Sequence, residues 1–344
     1  MSTMLDVAKR AGVALSTVSY ALNGTRPISE ETRQRIFAAM EELRYRPHAL
    51  ARGLASKRSR IIALLFPVSE RGLGFTELGF VTSAADAARE NGYNLVLWSS
   101  EMHDPNELQQ FTQQGLVDGV IVMEVHLHDE RINVLREIGF PFSMIGRCAN
   151  LDGIDYVDID FEQTVQETVG YLSGSGHTHI AFLNQSQSVF DAGYGPAVRT
   201  QASFEHAVQS AGLKGVTRFC RAAPQAGYEA FNELLAECPH LTTLVTMNER
   251  AVPGVMQAVA DQGWHIPDDF SLVVIVSSAR MAEMMVPPLT TADAPTAELS
   301  RLGVELLIQQ LEAQEQGTQQ TLLPCPLVVR GSSGPCRRNR ATSR

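Results

Sequence analysis

Leu15, Ser16, Thr17, Ser19 and Tyr20 lie within six consecutive residues and combine small hydroxyls, a phenol and one apolar side chain. A helix presenting such groups can reach base edges and phosphates in the major groove of DNA. A second set of polar residues stands at the ends of apolar runs: Ser69, Ser99, Ser100, Glu124, Gly146, Asn184, Asn248 and Ser277. In doubly wound proteins, small molecules bind at the carboxyl ends of strands, which nominates these positions for ligand contacts. The sequence contains no phosphate-binding loop, GxSxG elbow, HExxH pair or paired-cysteine zinc spacing, so no catalytic residue, metal or cofactor is expected. His126 and His128, in EVHLHDE, could share a strand face and hold a metal, but a loop after a strand is the plainer reading.

The elements that must position the first set are short helices. Thr3 can cap a helix with Leu5, Ala8 and Ala11 on its apolar face and Asp6 at the positive end of its dipole. Gly12 stops it. Ala14–Leu22 then predicts a second helix, with Val18 and Leu22 inward and Asn23-Gly24 as a left-handed stop. After Thr25–Ile28, Ser29 can cap a third helix carrying Glu30 and Glu31 in its first turn and Ile36, Met40 and Leu43 on one stripe. This is a helix-turn-helix pattern. Pro47 breaks the third helix, and His48–Lys57 can form one or two further turns. There Arg52, Lys57, Arg58 and Arg60 surround Leu54. An exposed leucine ringed by cations suits an apolar wedge between base steps in a minor groove, with the cations on phosphates.

The stretches DVAKRAGV (Asp6–Val13), TVSYALNG (Thr17–Gly24), Ser29 through Arg33, and YRPHALARGLASKRS from Tyr45 together resemble the LacI/GalR family of bacterial transcription regulators. The likeness continues over almost the whole chain. It implies that Leu15, Ser16 and Tyr20 read bases and that Leu54 is the wedge of a hinge helix. The full candidate DNA-contact set is Thr3, Leu15, Ser16, Thr17, Ser19, Tyr20, Asn23, Arg26, His48, Ala51, Leu54 and Lys57. Two positions depart from the family pattern. Arginine is frequent where Tyr20 stands and asparagine is usual where His48 stands, so the operator sequence does not transfer from a relative.

Charge divides the same way. The formal charge of −10 conceals a basic start: residues 1–60 hold 11 Lys and Arg against 5 Asp and Glu, while the other 284 residues hold 17 against 33. Only the start suits a polyanion. At 344 residues the chain exceeds one ordinary core, so two or three domains are expected. The five cysteines are odd in number and scattered, which fits a reducing cytoplasm. MSTMLDVAKRAG lacks the apolar core of a signal peptide, and no run approaches about 18 apolar residues, so a chain that neither crosses nor enters a membrane is expected.

From Arg60 onward apolar runs alternate with helical stretches. Strands are predicted at Ile61–Phe66, Leu95–Trp98, Gly119–Met123, Phe142–Ile145, Ile180–Leu183, Leu244–Thr246 and Leu272–Val276, and helices at Glu77–Asn91, Phe161–Ser173, Thr200–Ala211, Tyr228–Ala236 and Glu249–Gln262. Strands buried on both faces and separated by helices predict an α/β body of doubly wound parallel sheets. The acidic stretch Asp152–Asp160 interrupts the first set, which suggests two lobes. The resemblance implies lobes like those of periplasmic sugar-binding proteins, linked by crossings placed near Tyr156–Asp158, Thr290–Ala292 and Leu322–Leu323. The expected division is a helix-turn-helix headpiece at 1–46, a hinge helix or linker at 47–59, a first lobe from 60–157 and 291–321, a second lobe from 158–290 and 322–334, and a disordered tail at 335–344.

The resemblance also raises Arg199, in GPAVRTQASFEHAV, as a grip on effector hydroxyls or a carboxylate, and Asn248, in TLVTMNERA, as a polar contact to the same ligand. Phe75 could stack on a sugar face. With the strand-end residues Glu124 and Ser277, these form the candidate effector set. Relatives usually carry a Gly-aromatic-Asp pattern after the strand SLVVIV, but Val276, Ser277 and Ser278 stand there and no acid is present. A common hexose effector is therefore in doubt, and a different carbohydrate, an anionic ligand or a repurposed cleft stays open. Palindromic DNA requires a dimer, with helical faces around Glu77–Asn91 and Gln257–Gln262 as contributors, and the C-terminal residues lack tetramerising heptads. The resulting expectation is a regulator, most simply a repressor of carbohydrate-use genes. The alternatives are a small-molecule binding protein with no regulatory role and an enzyme on the same sheets.

Overall fold

The computed structural model describes residues 2–23, 26–45, 58–66, 73–99, 105–313 and 317–337. Helices α1 (Met4–Ala11), α2 (Leu15–Asn23) and α3 (Glu30–Glu42) form the N-terminal unit. Local capping sets their limits. Thr3 donates to Asp6 Oδ2 from its hydroxyl at 2.7 Å and its N–H at 2.9 Å, and the Asp6 N–H returns to the Thr3 hydroxyl at 3.3 Å. These bonds from Thr3 hold the Asp6 carboxyl below its ordinary range. Gly12, at φ 65°, ends α1 in the left-handed conformation that glycine adopts without a Cβ clash. Ser29 caps α3.

Val7, Ala8, Ala11, Val18, Ile36 and Ala39 fill the small core of this unit. Leu5 is corrected by the structure: it is 51% exposed. Val7, Ala8 and Ala11 lie on one side of α1, and Leu5 is turned roughly a third of a helical turn off that stripe.

The body holds two six-stranded sheets. In the first lobe, β1 (Ile61–Leu65), β2 (Asn94–Trp98), β3 (Gly119–Val122), β4 (Phe142–Ile145), β5 (Tyr156–Ile159) and β11 (Gln320–Leu323) are all parallel, in the order β11-β5-β4-β3-β1-β2. The second contains β6 (His179–Asn184), β7 (Lys214–Phe219), β8 (Thr243–Thr246), β9 (Ser271–Ser277), β10 (Thr290–Asp293) and β12 (Leu327–Val328), in the order β12-β10-β9-β8-β6-β7, with only β12 antiparallel to its neighbour. Helix α4 (Phe75–Glu90) packs on α13 (Thr296–Leu311) in the first lobe. In the second, α7 (Phe161–Gly174) packs on α9 (Gly195–Ser210), and α10 (Pro224–Glu237) on α11 (Val252–Asp261).

Chain entry to the first lobe is anchored by one carboxylate. Asp118 accepts from the Ser59 N–H and hydroxyl and from the Arg60 N–H at 2.7–2.8 Å. Arg60, grouped by sequence with the DNA-facing cations, is instead tied to the surface of the first lobe: its guanidinium pairs with Glu312 at 3.1 Å and lies over the Tyr93 ring.

Three details differ from the expected layout. The acidic stretch Asp152–Asp160 is not an interruption but contains β5, whose four residues are all buried. Each crossing follows a complete strand: Asp158–Ile159 and Leu322–Leu323 stay in the first sheet, and Thr291–Asp293 belong to the second. Part of the expected tail is tied down, since the Cys336 N–H donates to the Ser175 carbonyl at 2.8 Å and Arg337 pairs with Asp268 at 2.8 Å.

Candidate functional site

The N-terminal unit offers one surface suited to contact. Leu15 (47% exposed) and Ser16 project from the first turn of α2, Thr17, Ser19 and Tyr20 are half-buried, and Val18 anchors the opposite face in the core. Arg26 lies over the Tyr20 ring at 5.3 Å, a cation–π contact that orients both groups. Thr3 is engaged in its cap. Of Asn23 only its place as the last residue of α2 is described, and His48, Ala51, Leu54 and Lys57 lie outside the described residues, as do Ser69 and Ser100.

Between the lobes lies a cavity of about 540 Å3. Its wall is built from strand ends, which the topology places on one level: Glu124 follows β3, Gly146 follows β4, Gln185 follows β6 and Asn248 follows β8. Phe75, Thr76, Glu77 and Phe80 of α4 and Tyr194 complete it. The size is in the range of small-molecule sites. Of the five expected effector residues, Phe75, Glu124 and Asn248 line the cavity; Arg199 and Ser277 do not. Asn248 is almost fully buried, and its Nδ2 donates to the Cys220 carbonyl at 3.1 Å, fixing the turn after β8. Ser277 is fully buried, with its hydroxyl on Glu249 Oε1 at 2.6 Å.

Arg199 sits behind the wall. Its Nη2 donates to the Arg147 carbonyl at 2.8 Å, which ties α9 of the second lobe to the first, and its Nη1 is buried with no hydrogen-bond partner. Beside it is Asp158, which no sequence motif singles out. The Asp158 carboxyl lines the cavity, is 5% exposed, and its Oδ2 makes no hydrogen bond, although Arg147 Nε stands 3.4 Å away. That separation is an ion pair of poor hydrogen-bond geometry. Burial pushes the Asp158 pKa up to about 6, against the pull of Arg147 and Arg199.

A carboxyl raised in the folded state binds its proton more tightly there than in the unfolded chain, so it favours folding at low pH. Stability should therefore fall on this account, by about 1.4 kcal/mol per pH unit at most, as pH rises from about 4 to 6. Asp158→Asn is expected to flatten that part of the profile, and urea midpoints at several pH values check it.

Glu249 is the other residue missed, because it reads as the ordinary start of a helix. Its Oε1 accepts from Ser277 and, across the cleft, from Thr76 at 2.9 Å. Burial and neighbouring Glu77 raise its pKa, against the hydrogen bonds from Ser277 and Thr76. Two strained residues also belong to the wall: Glu124 and Val276 adopt φ 53° and 55°. For a β-branched residue this is an outlier of the kind found at functional sites. At Val276, β9 bulges by one residue against β10, which accounts for the irregular spacing of the sequence there.

Neither His126 nor His128 is in a strand; His126 makes an isolated bridge to Tyr194, and no metal-holding cluster occurs among the described residues. His177 is structural, bonded to Thr242 and to the Gly334 carbonyl. Trp264 is half-buried against Phe231 and Phe270. No helix among the described residues is long and apolar enough to cross a membrane.

A helix-turn-helix unit followed by two lobes around a ligand-sized cleft defines an architecture that joins DNA recognition to small-molecule binding. Residues 3–48 match the model for bacterial regulatory proteins of the lacI family, and residues 169–333 match a periplasmic binding protein-like domain. The HTH-type transcriptional regulator DegA of Bacillus subtilis is 30% identical, covering 97% of this chain and 98% of its own, and the ribose operon repressor of Escherichia coli is 29% identical over 97% and 100%. The chain belongs to the lacI family and is a DNA-binding transcriptional regulator.

Among solved structures, the lac repressor dimer bound to operator and an anti-inducer shares the fold, with a TM-score of 0.81 at 23% identity over 96% of this chain and 99% of that one. A transcriptional regulator CelR–cellobiose complex gives a TM-score of 0.72 at 25% identity over 97% and 100%.

Proposed function

We propose that this regulator represses carbohydrate-use genes as a cytoplasmic homodimer on a pseudo-palindromic operator, and that a sugar or sugar derivative in the cleft controls it. The observation that carries this reading is the joining of an exposed α2 face to a cleft spanned by side chains of both lobes. Leu15, Ser16 and Tyr20 take the base-reading role, supported by Thr3, Thr17, Ser19, Asn23 and Arg26. His48, Ala51, Leu54 and Lys57 supply the minor-groove contacts inferred from sequence. In the cleft Phe75, Glu124 and Asn248 face the ligand, while Arg199 and Ser277 hold the groups that do.

The ribose operon repressor and the cellobiose complex support a carbohydrate ligand, and the operator-bound lac repressor dimer supports the fold's use in pairs. The matched relatives are regulators, so the cleft is read as a binding site and not a catalytic one. Closure around the ligand would change headpiece spacing, and by linkage DNA and ligand must alter each other's affinity equally. Selection of genomic fragments by the full-length protein should recover one short pseudo-palindrome bound with a steep salt dependence. Uniform binding regardless of sequence would overturn the proposal.

A further inference from the structure

Glu249 stands where the two lobes meet. It follows β8 and belongs to the second lobe, as does Ser277 at the end of neighbouring β9; Thr76 belongs to the first turn of α4 in the first lobe. Both hydroxyls converge on Glu249 Oε1, at 2.6 Å from Ser277 and 2.9 Å from Thr76, and both hydroxyl-bearing residues are buried. On the rim near Tyr194 the lobes are joined by backbone bonds, Leu127 N–H to the Gly193 carbonyl at 2.8 Å and Gly195 N–H to the Val125 carbonyl at 3.0 Å. Those backbone bonds do not depend on side-chain identity. The Thr76–Glu249 bond does, and its acceptor also lines the cavity.

The charge around it narrows what can bind. Glu77, Glu124, Asp158 and Glu249 line the cavity with Arg250 as the one cationic side chain among the described lining residues. Asp158 Oδ2 and Glu77 Oε2 are buried acceptors without a hydrogen bond, and a buried acceptor left unsatisfied is costly. An ionised carboxylate accepts and cannot donate. The wall therefore asks for donors, and near Glu77 and Glu249 an anion would meet like charge.

We infer that Glu249 links ligand occupancy to lobe closure, and that the ligand presents a hydroxyl or ammonium donor to it, not a phosphate or carboxylate. This rests on the effector reading of the cleft. Part of the carboxylate's capacity is taken by the Ser277 hydroxyl, which positions it within the second lobe, and by the Thr76 hydroxyl, which holds the lobes together. A ligand donor reaching the same group joins that bridge, so closure and binding reinforce each other.

Hydrogen–deuterium exchange of the full-length, unliganded protein tests the bridge. Thr76→Val keeps the shape of the side chain and removes the donor. Exchange should rise about tenfold, the scale of losing a hydrogen bond to a charged group, in the second-lobe segments Met247–Ala251 and Val276–Ser278. Fraying of α4 alone would leave those segments unchanged, and that result would overturn the proposal. Ser277→Ala breaks a bond within the second lobe and keeps the Thr76 donor, so it should raise exchange at the start of α4 less than Thr76→Val does; a rise as large would show that the Thr76 bond is not what holds α4 to the second lobe.

The ligand clause is tested by the same measurement with glucose, glucosamine, glucose 6-phosphate and gluconate as probes. Protection of Met247–Ala251 by either of the last two, and not by the first two, would overturn it. The unliganded comparison requires no effector, so failure of the bridge and failure of the effector reading are separate results.

Discussion

Gly254→Ala should collapse the packing of the second lobe, lowering its stability by about 3 kcal/mol or more, at and beyond the upper end of ordinary overpacking. A Cβ at Gly254 would lie 1.7 Å from the Pro224 carbonyl oxygen and 2.8 Å from the Tyr228 backbone nitrogen. The contact is reciprocal: a Cβ at Gly227 would lie 2.1 Å from the Ala251 carbonyl oxygen. Helices α10 and α11 thus touch backbone to backbone, and no side-chain rotation can make room. A methyl group must push the helices apart, which loosens Phe231, Leu234, Val255 and Val259, all fully buried.

The cleft would feel the change too, because Pro224 and Pro253, in the first turns of these helices, line it. Gly170→Ala is the control. Gly170 lies within α7 with nothing within 4 Å of a Cβ, so alanine there should stabilise by roughly 0.5–1 kcal/mol through helix propensity. Urea unfolding followed by a second-lobe probe, such as Trp264 fluorescence, checks both. A Gly254→Ala midpoint equal to the parent's would show that the helices are not in backbone contact.

The parts of this molecule legible in the sequence are those set by neighbours along the chain. Thr3, Gly12 and Ser29 limit their helices through bonds within a turn, so the headpiece follows from residue type and spacing. Apolar runs such as Gly119–Val122 and Thr243–Thr246 are buried on both faces and read as central strands. Strands β7, β10 and β11 escape such a reading: KGVTRF is exposed or half-buried at every position, and TTAD and QTLL carry too much polarity for an apolar run.

Asp158 shows the limit most clearly. In sequence YVDID is an acidic loop signal; in the fold, Arg147 and Arg199 flank the carboxylate and make its burial tolerable, and nothing local announces either partner. Glu249 likewise gains its meaning from Thr76, 173 positions away. Family likeness nominates Arg199 and Asn248 together, but not the arrangement in which Asn248 lines the cavity and Arg199 stands behind it.

Arg199→Ala should abolish the response to ligand while leaving operator binding intact, and the geometry says why the loss would be large. Its guanidinium spans two tasks. One nitrogen holds the Arg147 carbonyl across the lobe junction, and the charge as a whole offsets Asp158. Removing it leaves Asp158 with Arg147 as the remaining cation in its balance and opens the space beneath Gly195, where Arg199 Nη1 now crowds the place a Cβ would take. Asp158 keeps its ion pair with Arg147, so the loss falls on the charged hydrogen bond to the Arg147 carbonyl, of about 1.5–3 kcal/mol, and on the added pull of Arg199 on the carboxylate.

Asp158 has a way out that an ordinary carboxylate lacks. Its pKa, already near 6 with Arg199 present, should rise further, so at neutral pH it turns toward the protonated form and becomes a donor where a ligand hydroxyl needs an acceptor. Affinity for an effector found with the parent protein should then fall at least about a hundredfold at pH 7. It should recover partly at higher pH, as Asp158 ionises again. Calorimetry across pH 6 to 9 measures this. Operator affinity depends on α2, with Leu15 and Ser16 on a separate helical unit, and should stay within about twofold of the parent. Unchanged ligand affinity in Arg199→Ala would remove both Arg199 and the charge balance of Asp158 from the mechanism.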